Sequence, residues 1–455
     1  MTVNGKPCDL TIGEASKLIA RGKLSSTDLV KSCLERIDAL EGRIKAWALL
    51  DREGALNRAA ELDAELKAGK RRGQLHGIPV GIKDIFYTAG MRTEAGSKSW
   101  AGFTPSFDAA AVARLKEAGV VILGKTHTTE FAFMDPAPTR NPWNTEHTPG
   151  GSSSGSAAAV VSGMCLAALG SQTGGSTLRP AAFNGIVGLK AERGRISTCG
   201  VVPLSWTMDH VGILTRSVAD AALILQILSG YDRRDPYSLN ATVPDFSGFL
   251  GSIRPPHLGL AKGYFFEHAN EEMRLHTEEV AEKLRKAGAI IEEIALPPGV
   301  AATFDLNHVI MKVDAAAYHK DMFAKRKELY GPNIRGLVEE GLATPATDFA
   351  AALKARGEAR NEMEILLDRV DAMLTPGAPG EAPPGLTSTG NSVMQRPWST
   401  TGLPSIGIPT GLSKNGLPLA VQLGSASMTE AKLLGVARWC EDALNVHLRP
   451  PVAEH

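Results

Sequence analysis

Residues 148–178 read TPGGSSSGSAAAVVSGMCLAALGSQTGGSTL. The stretch holds no charged side chain, in a chain that is 22% charged. A membrane span needs about 20 mainly apolar residues, and glycines and hydroxyls interrupt this run throughout, so it is not read as one. Two Gly-Gly-Ser turns frame it, Gly150-Gly151-Ser152 and Gly174-Gly175-Ser176. Between them the alanine-rich segment has room for one helix and one short strand. Glycine permits tight turns and close approach of backbone to ligand. Two such turns, each ending in a hydroxyl, can bring two serines and several free backbone N–H groups together. That is the material of an acyl-transfer site.

On either side, short apolar strands alternate with helical patterns. Ser25-Ser26-Thr27-Asp28 reads as a helix start, with a side-chain acceptor and an early acid. Leu29, Val30, Cys33, Leu34, Ile37 and Leu40 follow at helical spacing. A second helix is expected from Arg52 towards Gly69, with Ala55, Ala59, Leu62 and Leu66 inward. Residues 78–82 read as a buried strand with Lys83 directly after it, 108–118 as a helix and 120–123 as a strand. Downstream, helices are expected at 218–228, 271–286, 303–323, 346–367 and 429–444. Strands are expected at 257–261, 289–294, 371–374, 404–409 and 417–423, with a long Pro/Gly/Ser-rich loop over 377–399. The alternation predicts an α/β fold around a mixed, mainly parallel sheet covered by helices on both faces. No internal repeat and no linker divides the chain, so a single domain over 1–455 is expected.

Lys+Arg and Asp+Glu both number 49. A net charge near zero argues against nucleic acid or an anionic membrane as the main partner. The N-terminus, MTVNGKPCDLTIGEA, has no apolar core after its basic residue, so no signal peptide is read. Five scattered cysteines without CxxC or Cys/His ligand spacing fit reduced thiols in a cytoplasmic protein. No metal or cofactor is expected.

Three short patterns compete for the chemistry. Residues 119–126, GVVILGKT, fit the phosphate-loop pattern GxxxxGK[ST]. Val120-Val121-Ile122-Leu123 is a strand sequence, however, and its N–H groups belong to a sheet rather than to a phosphate. Residues 151–155, GSSSG, fit the GxSxG elbow and would make Ser153 an esterase nucleophile. That elbow needs a strand before it, and 140–150 is turn-rich. Lys83 stands out, because a lysine buried at a strand end loses its proton more easily and can act as a neutral base.

The longer matches are GIPVGIKD at 77–84, GKT at 124–126 through Glu130-Phe131-Ala132, and PGGSS at 149–153. GSQTGGSTLRPAAFNGIVGLK at 170–190, MDHVG at 208–212, and the segments 398–409 and 416–423 complete them. On these the chain resembles the amidase signature enzymes from about residue 10 to 445, with a signature core at about 70–230 and a C-terminal part at about 250–445 completing the same sheet. The resemblance implies a Ser–cis-Ser–Lys triad, with Ser176 as nucleophile, Ser152 as bridging serine after a cis Gly151–Ser152 peptide, and Lys83 as base. It also implies an oxyanion hole from the backbone N–H groups of Thr173, Gly174, Gly175 and Ser176.

The expected activity is metal-free hydrolysis of a linear amide, anilide or carbamate. Gln172 stands where many members, including glutamine-dependent amidotransferase subunits, have Asp. Ser154-Gly155 and Lys190-Ala191-Glu192 depart from the family pattern too. These departures lean towards a stand-alone amidase over the alternative, an A-type subunit of a glutamine-dependent tRNA amidotransferase. Charged clusters are missing near the motif, and Phe131, Phe133 and Met134 are candidate pocket walls. A small, rather apolar substrate is therefore expected, and a homodimer is one assembly this reading admits.

Overall fold

Lys83 is the last residue of a strand that lies between two parallel neighbours, and this placement organises the site. The computed structural model describes residues 6–251 and 254–453. The first five residues, where the leader reading begins, lie outside them. Eleven strands among the described residues form one sheet. They are β1 Trp47–Leu50, β2 Pro79–Lys83, β3 Val121–Thr126, β4 Ala167–Gln172, β5 Val187–Lys190 and β6 His210–Thr215. The remainder are β7 His257–Ala261, β8 Ile290–Ile294, β9 Ala372–Pro376, β10 Ser405–Leu412 and β11 Pro418–Gly424. Their order is β1-β3-β2-β4-β6-β5-β10-β11-β9-β7-β8.

The sheet is mixed, as expected, but its parallel pairs are confined to β3-β2-β4 and β9-β7-β8. The centre is antiparallel from β4 through β6, β5, β10 and β11 to β9. "Mainly parallel" is therefore corrected for the middle of the sheet. The sequence signal there was ambiguous, because strands buried on both faces read as continuous apolar runs whatever their direction. Every residue of β2, β3, β4, β6 and β11 is buried, as helices on both faces require. The antiparallel pairing of β5 with β10 joins the two halves of the chain in one sheet.

The N-terminal helices form where the sequence places them. Ser25 caps Ser26–Ile44 by accepting from the Asp28 N–H at 2.9 Å, and its stripe from Leu29 to Leu40 is buried. The helix Arg52–Lys67 buries Ala55, Ala59 and Leu62, while Leu66 is only half-buried. The expected loop over 377–399 ends early, because 396–401 form a short helix, Arg396–Thr401. Pro397 at its first turn has a φ already suited to a helix, and its missing N–H costs nothing there. Among the described residues no helix is long and apolar enough to cross a membrane.

Candidate active site

Both Gly-Gly-Ser turns lead into helices, Ser154–Val161 and Leu178–Asn184. Strand β4 runs between the turns, parallel to β2, with Ile82 paired to Leu169. This register sets Lys83 against Ser171 and the first turn. Lys83 is fully buried. Its Nζ donates to Ser152 Oγ at 2.7 Å and to Ser171 Oγ at 2.8 Å. The Gly151–Ser152 peptide is cis. The Ser153 N–H donates to the Ser176 carbonyl at 3.3 Å, tying the two turns together. Ser176 is 8% exposed and lines a cavity of about 310 Å³. Its hydroxyl makes no hydrogen bond among the described residues, nor do the N–H groups of Gly174, Gly175 and Ser176. Those donors are free for a ligand.

Several side chains shape the second turn. Gln172 Oε1 accepts from the N–H groups of Thr177 and Leu178 at 2.9 and 3.0 Å, and its Nε2 donates to Ser399 Oγ. Ser399 in turn donates to the Gly174 carbonyl at 2.6 Å. Thr173 donates its hydroxyl to Asp209 and its carbonyl accepts from Asn307 Nδ2. Arg179 donates to the Gly151 carbonyl at 2.6 Å, so a guanidinium from the second turn's helix fixes the first turn.

The electrostatics favour a neutral lysine. Burial pushes the Lys83 pKa well below that of an ordinary lysine, against an opposing pull from Asp209. Asp209 is itself raised to about 6 by burial, despite hydrogen bonds from Thr173, Ser205 and Leu204. An uncharged amine at hydrogen-bond distance from Ser152 can accept a proton.

Most of the expected residues meet here. Lys83, Ser152 and Ser176 sit in the two turns and the β2 end, and Phe133, Met134, Gly174 and Gly175 line the cavity. Phe131 does not. It is fully buried, stacked on Tyr330 with its edge against His319, so it belongs to the core. The cavity wall is not wholly apolar, since Arg179 and Arg396 both line it beside Phe133, Met134 and Phe304. Arg396 comes from far along the chain, where inspection of the motif's sequence neighbours could not find it. Ser171 and Asn307 were missed as well; the parallel β2–β4 register would have indicated Ser171.

The competing patterns do not hold. Ser153 Oγ is buried and exchanges hydrogen bonds with the Ser171 backbone, and no strand precedes it. Lys125 lies in β3 and donates to Phe86 O and Thr93 Oγ1, 3.2 Å from Asp84. Among the described residues no cluster of three or more His, Cys, Asp or Glu could hold a metal.

Gly175 offers a test of how tightly the turn is fitted. A Cβ there would lie 2.8 Å from Ser392 Cβ and 3.0 Å from Gln395 Oε1, so Gly175→Ala must shift the turn. Misplacement on the scale of 1 Å costs up to about 100-fold in rate. We expect kcat/KM to fall by about 10- to 100-fold in steady-state amide hydrolysis, with the circular dichroism spectrum unchanged. A wild-type rate would mean that the turn does not position the reacting groups.

Comparison with known proteins gives the family. The family model described as Amidase matches residues 28–434. The A-type glutamyl-tRNA(Gln) amidotransferase subunit of Halothermothrix orenii is 33% identical, covering 97% of this chain and 99% of that protein. Native peptide amidase from Stenotrophomonas maltophilia superposes with a TM-score of 0.84 at 31% identity, covering 97% of this chain and 98% of that one. A further solved chain belongs to a vestigial protein complex that reveals the evolutionary origins of an s-triazine catabolic enzyme. It gives a TM-score of 0.91 at 28% identity, covering 97% of this chain and all of that one (100%). The chain thus belongs to the amidase family and is an amidohydrolase of carbon–nitrogen bonds.

Proposed function

We propose that the chain cleaves a linear amide through an acyl-enzyme on Ser176, with Lys83 and Ser152 relaying protons. The observation that carries this reading is the buried Lys83 hydrogen-bonded to Ser152, in a turn tied to the one that presents Ser176 to the cavity. Ser176 gives its proton to Ser152 as Ser152 gives its own to neutral Lys83. The Ser176 oxygen then bonds to the carbonyl carbon. The N–H groups of Thr173, Gly174, Gly175 and Ser176 stabilise the oxyanion. When the C–N bond breaks, the proton returns from Lys83 through Ser152 to the leaving amine. Water, deprotonated along the same relay, releases the acid and restores Ser176.

The setting is either stand-alone or within a complex. The amidotransferase relatives favour the second: an A-type subunit that liberates ammonia from glutamine for a tRNA-linked acid and needs a partner. The peptide amidase likeness supports the first. The departures at Gln172 and 190–192 alone do not outweigh the relatives. Five free cysteines suit a reducing, cytoplasmic compartment, and we read the chain as one domain.

Ammonia release by the purified chain on aliphatic amides, anilides, aryl carbamates and glutamine tests both settings. Release by the chain alone, with a fluorophosphonate adduct on Ser176, supports the stand-alone enzyme. Glutamine cleavage that appears only with a co-purifying partner supports the amidotransferase setting. If the folded chain takes no label on Ser176, the acyl-enzyme is overturned.

A further inference from the structure

We propose that the cavity beside Ser176 selects short amides carrying a carboxylate, and that Arg396 holds that carboxylate. The proposal rests on the Ser176 reading in its stand-alone setting, against the glutamine-using one, and adds the substrate class.

Among the described residues the charged groups lining the cavity are both arginines, and no Asp or Glu lines it. Arg179 is committed to the protein. Its Nη1 donates to Gly390 O at 2.7 Å, and its Nη2 donates to Gly151 O and Thr389 Oγ1. Arg396 is held differently. Its guanidinium stacks on Phe304, 3.9 Å from the ring centroid. Its Nε donates to Ser392 Oγ at 3.2 Å and its Nη1 to Phe304 O at 2.9 Å. Among the described residues Nη2 has no protein partner, and Arg396 forms no ion pair. The group is therefore fixed in direction and has no carboxylate in contact, Asp305 acting on it only at longer range. Burial lowers its pKa to about 10, so it stays charged at neutral pH.

A half-buried cation with no carboxylate in contact is only partly compensated. An anionic ligand completes the compensation, and a guanidinium edge fits a carboxylate. The group is also close to the reaction centre. A Cβ on Gly174 would lie 3.8 Å from Arg396 Nε and 3.7 Å from Asn307 Oδ1. Asn307 Oδ1 is buried and unpartnered, and its orientation is fixed because Nδ2 donates to Thr173 O. It can accept an N–H from the substrate amide. A cavity of about 310 Å³ fits a short chain between the two groups. Glutamine carries the same carboxylate, but its ammonium would meet two arginines and, among the described residues, no Asp or Glu in the cavity wall.

The test compares three primary amides of similar length. Glutaramate is anionic, 5-oxohexanamide replaces the carboxylate with a methyl ketone, and glutamine adds an ammonium. A hydrogen-bonded carboxylate–guanidinium pair corresponds to about 10- to 100-fold in binding. In the wild type kcat/KM for glutaramate should exceed that for each of the other two by about 30-fold. Arg396→Ala and Arg396→Gln should collapse the glutaramate-to-ketone ratio to within about threefold, and Arg396→Lys should retain part of it. Calorimetric titration of glutaramate into Ser176→Ala gives a readout without turnover. Adding Arg396→Gln should weaken that binding by about 30-fold. A wild-type ratio near one, a ratio preserved without Arg396, or equal binding to both Ser176→Ala proteins would each overturn the proposal. Undiminished glutaramate hydrolysis by Ser176→Ala would instead overturn the nucleophile, while the calorimetry would still decide Arg396.

Discussion

Ser176→Ala should lower kcat/KM on any amide that the chain cleaves by about 10⁴-fold or more and abolish fluorophosphonate labelling. Removing the nucleophile of a Ser-based triad has effects of this order, leaving only the rate that binding and oxyanion stabilisation provide. The same substitution should barely change stability. The Ser176 hydroxyl makes no hydrogen bond within the described residues and faces the cavity, so its loss leaves no buried group unpaired. The Ser176 carbonyl, which accepts from the Ser153 N–H, is untouched. Activity loss with a melting temperature within a few degrees of the parent is thus the expected signature. Retention of more than about 1% of the rate, or a label that moves to Ser153, would place the nucleophile elsewhere.

Much of the fold was legible because local signals and tertiary packing agree. Helices 218–228, 271–286 and 346–367 match Val218–Leu228, Glu271–Lys286 and Ala346–Leu367. Ser217 and Asn270 cap the first two with side-chain acceptors. Strand β6 was not read, and the reason is physical. Gly212 interrupts its apolar run, and a Cβ there would lie 2.0 Å from Thr177 Oγ1. The close approach of the second turn to the sheet needs a residue that weakens the strand pattern. The seven-residue helix Leu178–Asn184, with Pro180 inside it, is too short for helical periodicity to register. Phe131 shows a different limit. An aromatic residue near a motif has the same letter whether it walls a cavity or fills a core, and only its neighbours Tyr330 and His319 decide. Arg396 shows the complement, since the residue that changes the cavity's character reaches it from a segment more than two hundred positions beyond Ser176.

Lys83→Met should cost about 10³-fold or more in kcat/KM, the upper range for loss of a general base, with the protein still folded. Lys83 is fully buried, and among the described residues its amine meets only Ser152 and Ser171 at hydrogen-bond distance. Methionine is unbranched and fills similar space, so the substitution removes the base without opening a large cavity. The two serines lose a partner, at about 1–3 kcal/mol for each group left unpaired. The amine no longer has to be desolvated, which offsets part of that cost. The pH dependence separates a base from a structural lysine. Burial lowers the pKa of Lys83 in the folded protein, so kcat/KM should rise with pH along a limb well below the ordinary lysine range. That limb should vanish in Lys83→Met. Stability follows the same equilibrium. Below about 10.4 the unfolded lysine holds its proton, whereas the folded one has released it above its lowered pKa. The unfolded state therefore binds more protons in that window, and its share of stability increases as pH rises through it. Melting temperatures of Lys83→Met should show a smaller pH dependence there than those of the parent. An acid limb that persists in the variant, or a near-normal rate, would mean that Lys83 supports Ser152 without taking its proton.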